Sequence, residues 1–253
     1  MQKPKFSLLA RELKGELYLD WFHLETYAST ACLYRILPKA VVIPKNPQDL
    51  IKTINFSQEE KIPITARGAG SGVAGQAIGQ GIIIDFTGFN QRIEINPEEK
   101  SVWVEPGMIY SQLNQKLSHY GLFFPPDPSS GNYCTIGGMI ANNSSGAHSL
   151  FYGSTQNYLE ELEVILADGS LARLGKNKFE LIEEKSTWAK EIPSQLTALI
   201  KKYEAQLNAD RPKTKNSSGY LIWGAIERDG INYARLLAGS EGTLGLVLRA
   251  KLR

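Results

Sequence analysis

The sequence predicts an α+β protein of two α/β subdomains, a small, mostly parallel one followed by a larger, mostly antiparallel one. Three observations lead there. Strand–helix–strand signals come first, as AVVIP (40–44), a helix, IPITA (62–66) and GIIIDF (81–86), an order that builds parallel sheets. Hairpin signals come later, at 92–105 and 162–175. The 253 residues are enough for one large domain or two small ones and can bury a core.

Each element has a local reason. Residues 1–37 read as an N-terminal arm, a helix followed by an irregular segment. Asn46 can cap the next helix and Pro47 suits its first turn. That helix runs to about Glu60 on an apolar face of Leu50, Ile51 and Ile54. The unbroken apolar run at 81–86 predicts a strand buried on both faces. RIEIN (92–96) and SVWVE (101–105) alternate with period two around a Pro-Glu-Glu turn. A helix follows Pro106–Gly107 and stops near Gly121. Asp168–Gly169 suits the tight turn of the 162–175 hairpin. Residues 194–207 predict an amphipathic helix, and LGLVLRAKLR (244–253) a final strand. The break between subdomains falls near 87–91, which bounds them at about 38–90 and 91–253.

Composition narrows the function. A formal charge of +2 with interspersed signs gives no basic face for nucleic acid. Cys32 and Cys134 lie far apart, and His23, His119 and His148 are scattered, so no metal-ligand spacing exists. The two cysteines fit a reducing, cytoplasmic compartment. The N-terminus lacks a signal-peptide core, and no stretch approaches the ~20 apolar residues of a membrane span. Peripheral contact at the inner face of a membrane stays open, because a folded patch leaves no local signature.

Arg67-Gly68-Ala69-Gly70-Ser71-Gly72-Val73-Ala74-Gly75 contains G-x-G-x-x-G after a strand. In a Rossmann unit that loop opens a helix whose N-terminus receives the diphosphate. Here only residues 76–80 separate it from Gly81 and the next strand, too few for a crossover helix. The chemistry survives without the helix. Successive backbone N–H groups in such a turn form an anion-binding nest, and Ser71 adds a hydroxyl donor. A tight loop that merely needs glycine is the plain alternative. A second segment, PPDPSSGNYCTIGGMIANNSSGAHSLFYG (125–153), is rich in Gly, Asn and Ser. Its small residues allow close approach of a flat ligand, and an ordinary Ω-type loop is the alternative there.

Taken in order, RGAGSGVAG, IIIDFTGFNQ, VEPGMIYSQLN, PPDPS…TIGGMIANNSSGAHSLFYG, LEVILADGS and GSEGTLGLV resemble the FAD-linked oxidase superfamily. Its FAD domain is of the vanillyl-alcohol-oxidase or p-cresol-methylhydroxylase (PCMH) type. The similarity covers roughly residues 25–253. It is nearest the D-2-hydroxyacid branch: D-lactate dehydrogenase, the glycolate oxidase flavin subunit and D-2-hydroxyglutarate dehydrogenase. TYAST…LYRILPKAVVIPKN, GAHSLFYG and RPKTKNSSGYLIW resemble large bacterial members fused to an iron–sulfur half.

The resemblance implies FAD between the two subdomains. Arg67, Gly68, Ala69, Gly70, Ser71, Gly72, Val73 and Gly75 would hold the diphosphate. Pro126 and Asp127, with Pro128, would flank the flavin. Thr135, Gly137, Gly138, Asn142, Ser145 and Gly146 would line the channel. Val164 would meet the adenine end by its backbone, and Glu241, Gly242 and Leu244 would close over the flavin. Some members attach FAD through His or Cys. Ser71 stands at the histidine position and Cys134 one place off the cysteine, which implies non-covalent FAD.

Other candidates have ordinary readings beside the functional one. His148 is a catalytic candidate by position alone, and a single loop histidine is more often a structural hydrogen-bonder. Asp127 reads as a turn carboxylate. Tyr152 and Tyr220 read as packing residues, Trp103 and Trp223 as core. Arg67 offers charge and several donors to a phosphate, with a salt bridge across the loop as its alternative.

In the hydroxyacid branch, substrate C2 passes a hydride to flavin N5 while a base takes the hydroxyl proton. The substrate groups come largely from a cap domain that follows a strand equivalent to 244–253, so the expectation is an FAD domain without its cap. A hydroxy acid held by that cap and an iron–sulfur subunit or domain as electron acceptor are the implied partners. Two alternatives stand beside this reading: a flavoenzyme resembling UDP-N-acetylenolpyruvoylglucosamine reductase, and a non-catalytic flavin-binding module.

Overall fold

A computed structural model describes residues 4–214, 216 and 218–253. Lys215 and Ser217, within the 211–223 segment singled out above, lie outside the described residues, as do residues 1–3.

The first sheet has four strands: β1 (Glu16–Tyr18), β2 (Ala40–Ile43), β3 (Ile64–Arg67) and β4 (Ile82–Asp85), in the order β1-β2-β4-β3. β2, β4 and β3 run parallel, and β1 closes the edge antiparallel to β2. The arm is therefore more structured than expected. It holds helix α1 (Phe6–Glu12), strand β1 and helix α2 (Trp21–Tyr27). β1 is too short to show a period in the sequence, and only pairing with β2 defines it. Helix α3 (Pro47–Glu60) starts on the Asn46 cap, whose side chain accepts from Asp49 N at 3.1 Å, with Pro47 in the first turn. It ends at Lys61 in the left-handed region, φ 53°. Leu50 and Ile54 of α3 and Leu9 of α1 pack with Val42, Ile82 and Ile84. Val41 and Ile83, alternating to the other face, are also fully buried, as a central strand between two layers requires.

The second sheet has six strands, all antiparallel. These are β5 (Ile93–Asn96), β6 (Ser101–Val104), β7 (Leu159–Ile165), β8 (Leu171–Gly175) and β9 (Lys178–Glu183), with the C-terminal strand Leu246–Leu252 between β6 and β7. A separate two-stranded ribbon pairs β10 (Ile226–Glu227) with β11 (Gly230–Ile231), and the C-terminal strand Leu246–Leu252 is β12. Helices α4 (Tyr110–Ser118), α5 (Ile136–Ala141), α6 (Ser149–Tyr152), α7 (Trp188–Lys202), α8 (Glu204–Ala209), α9 (Ile222–Ala225) and α10 (Tyr233–Leu237) belong to this half. Leu113, Ile136, Met139, Ile140 and Leu237 pack with Val104, Leu162, Val164 and Ala250 in its core.

The helix expected at 194–207 begins earlier and divides. α7 starts at Trp188, runs through Pro193 and stops at Tyr203, where α8 takes over. Pro193 near the front of α7 removes one donor there and does not start a new helix.

The other face of this sheet splits in two. At one end Ile165, Leu171, Leu246 and Leu248 join the core of the first sheet, so β7 and β12 lock the halves together. A register shift between Val247 and Arg249 lets β12 present Leu246 and Leu248 to one core and Ala250 and Leu252 to the other. Past that shift the face is charged. Arg249 lies opposite Glu163, and Glu163 opposite Arg173. Trp103 sits here between the Arg173 and Arg249 guanidiniums, 5.7 and 5.2 Å from the ring. It is half-buried on a polar face rather than in the core. No helix among the described residues is long and apolar enough to cross a membrane.

Candidate functional site

A cleft runs between the two halves and is built by three segments. The first is the turn leaving β3. It contributes Ala66 and residues 68–73 to one wall, with Arg67 at the inner end. The second is the approach to α5 and the helix itself, contributing Thr135, Gly138, Ala141 and Asn142. The third is the lead into β12, contributing Glu241, Gly242 and Leu246. Backbone bonds from Gly239 N to Ile140 O and Glu241 N to Ala141 O, both 2.9 Å, tie the third segment to the second. Gly137 N to Pro106 O and Ile136 N to Met108 O, both 2.8 Å, seat α5 against the turn after β6. The cleft has three connected lobes, of about 520, 1080 and 1020 Å³ with their open mouths included. All three lobes share Ala66, and two share Glu241, so the cleft is continuous and suits an elongated ligand.

The glycine loop is a donor surface. Among the described residues, the N–H groups of Ala69 through Val73 donate to no protein acceptor. Their carbonyls are used instead: Gly70 O accepts from Ala31 N at 3.1 Å and Gly72 O from Thr30 Oγ1 at 3.4 Å. Gly70 has φ +67°, and a Cβ there would lie 2.9 Å from Arg67 Nη2. The loop therefore closes over the guanidinium.

Arg67 is half-buried. Its Nη1 donates to Tyr27 O at 3.0 Å and its Cζ lies 4.9 Å from the Tyr27 ring centroid. Burial lowers its pKa, with Tyr27 and Asp85 opposing, and a guanidinium stays charged regardless. The salt bridge considered for Arg67 is not made among the described residues. The Tyr27 hydroxyl donates to Asp85 Oδ2 at 2.5 Å, and burial followed by that bond pushes the phenol well above its ordinary value.

Facing the loop, Thr135 caps α5 by accepting from Gly138 N at 3.3 Å. Asn142 Oδ1 is buried without a protein partner and lines the cleft. A buried acceptor without a donor costs about 1–3 kcal/mol, so a ligand donor there would relieve it. Cys134 is buried on this wall, and burial pushes its thiol up.

Most residues singled out in the sequence meet at this cleft. Gly68, Ala69, Gly70, Ser71, Gly72 and Val73 line it with Arg67, and so do Thr135, Gly137, Gly138, Asn142, Ser145, Glu241 and Gly242. Others sit behind or beside it. Gly75 abuts the Tyr34 ring. Gly146 backs onto the Asp127–Pro128 backbone, where a Cβ would run into the Asp127 carbonyl. Pro126 and Asp127 stand one step outside the wall formed by Pro128 and Ser130. Leu244 packs against the larger core.

Val164 is fully buried in β7 with Val247 and Ala172 paired on either side, and its side chain does not line the cleft. Ile165, Leu166 and Ala167 reach the cleft instead. No signal in the alternating hairpin marks where it leaves the sheet. His148 is exposed, pairs through Nδ1 with Asp127 Oδ2 at 2.8 Å, and does not line the cleft. Tyr220 is exposed and bonds Thr243 Oγ1 at 2.9 Å. Among the described residues no group of His, Cys, Asp and Glu could hold a metal ion.

The sequence matches the FAD binding domain family over residues 38–175. Similar proteins include a D-2-hydroxyglutarate dehydrogenase of Haemophilus influenzae, 32% identical over 97% of this chain and 25% of that protein. Another, from Escherichia coli, is 34% identical over 90% of this chain and 23% of that protein. The glycolate oxidase subunit GlcD of Bacillus subtilis is 31% identical over 86% of this chain and 37% of that protein. The chain thus spans about a quarter of the length of the dehydrogenases it matches. A solved alkyldihydroxyacetonephosphate synthase shares the fold, with a TM-score of 0.68 at 20% identity over the whole chain and 43% of that structure.

Proposed function

The chain belongs to the FAD-binding domain family and takes FAD as its cofactor, and from that premise we propose that it is the FAD-holding portion of an oxidoreductase acting on a D-2-hydroxy acid. The observation that carries the site assignment is the row of unclaimed N–H groups from Ala69 to Val73. Such a row suits a diphosphate, which offers many acceptors and no donors. Arg67 beneath Gly70 adds positive charge from behind. Thr135, Gly138 and Ala141 shape the opposite wall, and Asn142 Oδ1 accepts a donor from the ligand. Glu241 and Gly242 border the same cleft from the lead into β12.

When bound, FAD supplies the two-electron acceptor for the substrate's C2 hydride. This chain's residues would bind and orient it in the cleft that both halves line. Attachment is non-covalent: Ser71 is no strong nucleophile, and the Cys134 thiol is raised by burial, which disfavours the thiolate. The hydroxy acid, its base and an iron–sulfur electron acceptor belong to polypeptide beyond this portion of the relatives' length. The same reading places the protein in the cytoplasm, where its two free cysteines stay reduced.

Titration of the purified chain with FAD, followed by flavin fluorescence, tests the site. Uptake of about one FAD per chain is expected, and a protein that takes up none would sink the assignment. With the rest of a relative's polypeptide supplied, D-2-hydroxyglutarate or D-lactate is expected to bleach the flavin without oxygen. Bleaching by NADPH instead would move the reaction to the reductase alternative.

A further inference from the structure

We propose that Tyr27, on the N-terminal arm and outside the stretch matched to the FAD-binding family, is a positioning residue that keeps the Arg67 charge aimed at the diphosphate loop. The inference rests on the reading that this loop holds the FAD diphosphate.

The geometry is that of a spacer. Arg67 and Asp85 are direct partners across the parallel strands β3 and β4. Opposite charges so placed would pair. They do not, because Tyr27 stands between them. Its hydroxyl donates to Asp85 Oδ2 at 2.5 Å, while Thr87 supplies Asp85 Oδ1 with a backbone N–H at 2.7 Å and a hydroxyl at 2.6 Å. The carboxylate is thus satisfied without the arginine. The Tyr27 ring and carbonyl then hold the guanidinium, at 4.9 and 3.0 Å. Its outer edge is left under Gly70, where a Cβ would lie 2.9 Å from Nη2.

An arginine engaged directly by a carboxylate offers a phosphate little net charge, whereas one held off the carboxylate by a ring and a carbonyl keeps more of it. The arm reinforces this arrangement. Ala31 N and Thr30 Oγ1 take the Gly70 and Gly72 carbonyls on the far side of the loop, which leaves the loop N–H groups to the cleft.

Removing Tyr27 frees Asp85 to draw Arg67 away from the loop. The test compares FAD dissociation constants of the wild-type chain, Tyr27→Leu, Tyr27→Phe, Arg67→Met and the Tyr27→Leu/Arg67→Met double variant, with the melting temperature of each FAD-free protein. Tyr27→Leu is expected to weaken FAD roughly tenfold, the scale of one charge-assisted hydrogen bond. Tyr27→Phe keeps the ring and should weaken it less. The double variant should bind no more weakly than Arg67→Met alone, because Tyr27 acts through Arg67.

Equal FAD affinity for wild type and Tyr27→Leu would overturn the inference. So would fully additive losses in the double variant, or losses that merely follow a falling melting temperature. A wild-type chain that binds no FAD removes the reading beneath it, a result distinct from all of these.

Discussion

Gly70 sits at φ +67° with Arg67 folded beneath it, and both facts resist a side chain. In Gly70→Ala, a non-glycine residue in the left-handed region costs about 1–2 kcal/mol. The FAD-free loop relaxes that strain by leaving the conformation, so the cost falls on binding. FAD affinity is expected to drop about tenfold while the FAD-free melting temperature holds, as titration and calorimetry would show. Asn142 separates the two quantities in another way. Asn142→Leu replaces a buried acceptor that has no partner, so the FAD-free protein should be as stable or slightly more so. FAD binding should weaken about 2–10-fold, the worth of one hydrogen bond. Equal losses in both measurements would mean that Asn142 is structural. None of this was legible from residue type. The sequence marks a glycine loop, but which carbonyls turn to the arm depends on residues some forty positions away.

Among the elements, one side chain ties the start of the arm to α3. Asp49 of α3 is fully buried and accepts from Lys14 N, Gly15 N and Lys45 N, each at 2.9 Å. Asp49→Ala strands three N–H groups and should cost on the order of 3 kcal/mol in urea denaturation. It should also free the Lys14–Gly15 backbone and speed tryptic cleavage after Lys14. Asn46→Ala, which removes only the cap of α3, should cost about 1 kcal/mol.

The turn between β7 and β8 carries a pH signature. Burial alone would raise the Asp168 carboxyl, but bonds from Ser186 and Ser170 outweigh it and hold the group below its ordinary 3.8. A depressed carboxyl stabilises the fold above the unfolded value and loses that contribution as pH falls through the folded one. The stability advantage of wild type over Asp168→Asn should therefore be present at neutral pH and shrink below pH 3.8. Urea midpoints across an acid series would measure it. The element pattern itself was well announced: the Asn46 cap, the Asp168–Gly169 turn and the alternation of β5 and β6 are local signals. β1 and the division of α7 from α8 were not, since the first depends on pairing with β2 and the second on packing.

For the molecule as a whole, the sequence by itself determined the class of each half. Continuous apolar runs can only be buried on both faces, and alternating ones on a single face, so parallel and antiparallel character followed directly. It also determined that the glycine loop could not be a Rossmann turn, because five residues cannot hold a crossover helix. Tertiary structure alone decided how the halves meet. The register shift in β12 sends Leu246 and Leu248 to one core and Ala250 and Leu252 to the other, and no periodicity in LGLVLRAKLR reveals it. The same holds for Val164, which lies buried between β12 and β8 while Ile165, Leu166 and Ala167 line the cleft. Tyr27 is the sharpest case. Its place between Arg67 and Asp85 joins segments 40 and 58 positions apart. Local pattern reports what a residue can do, whereas the partner it meets is set by long-range packing, which a pattern does not contain.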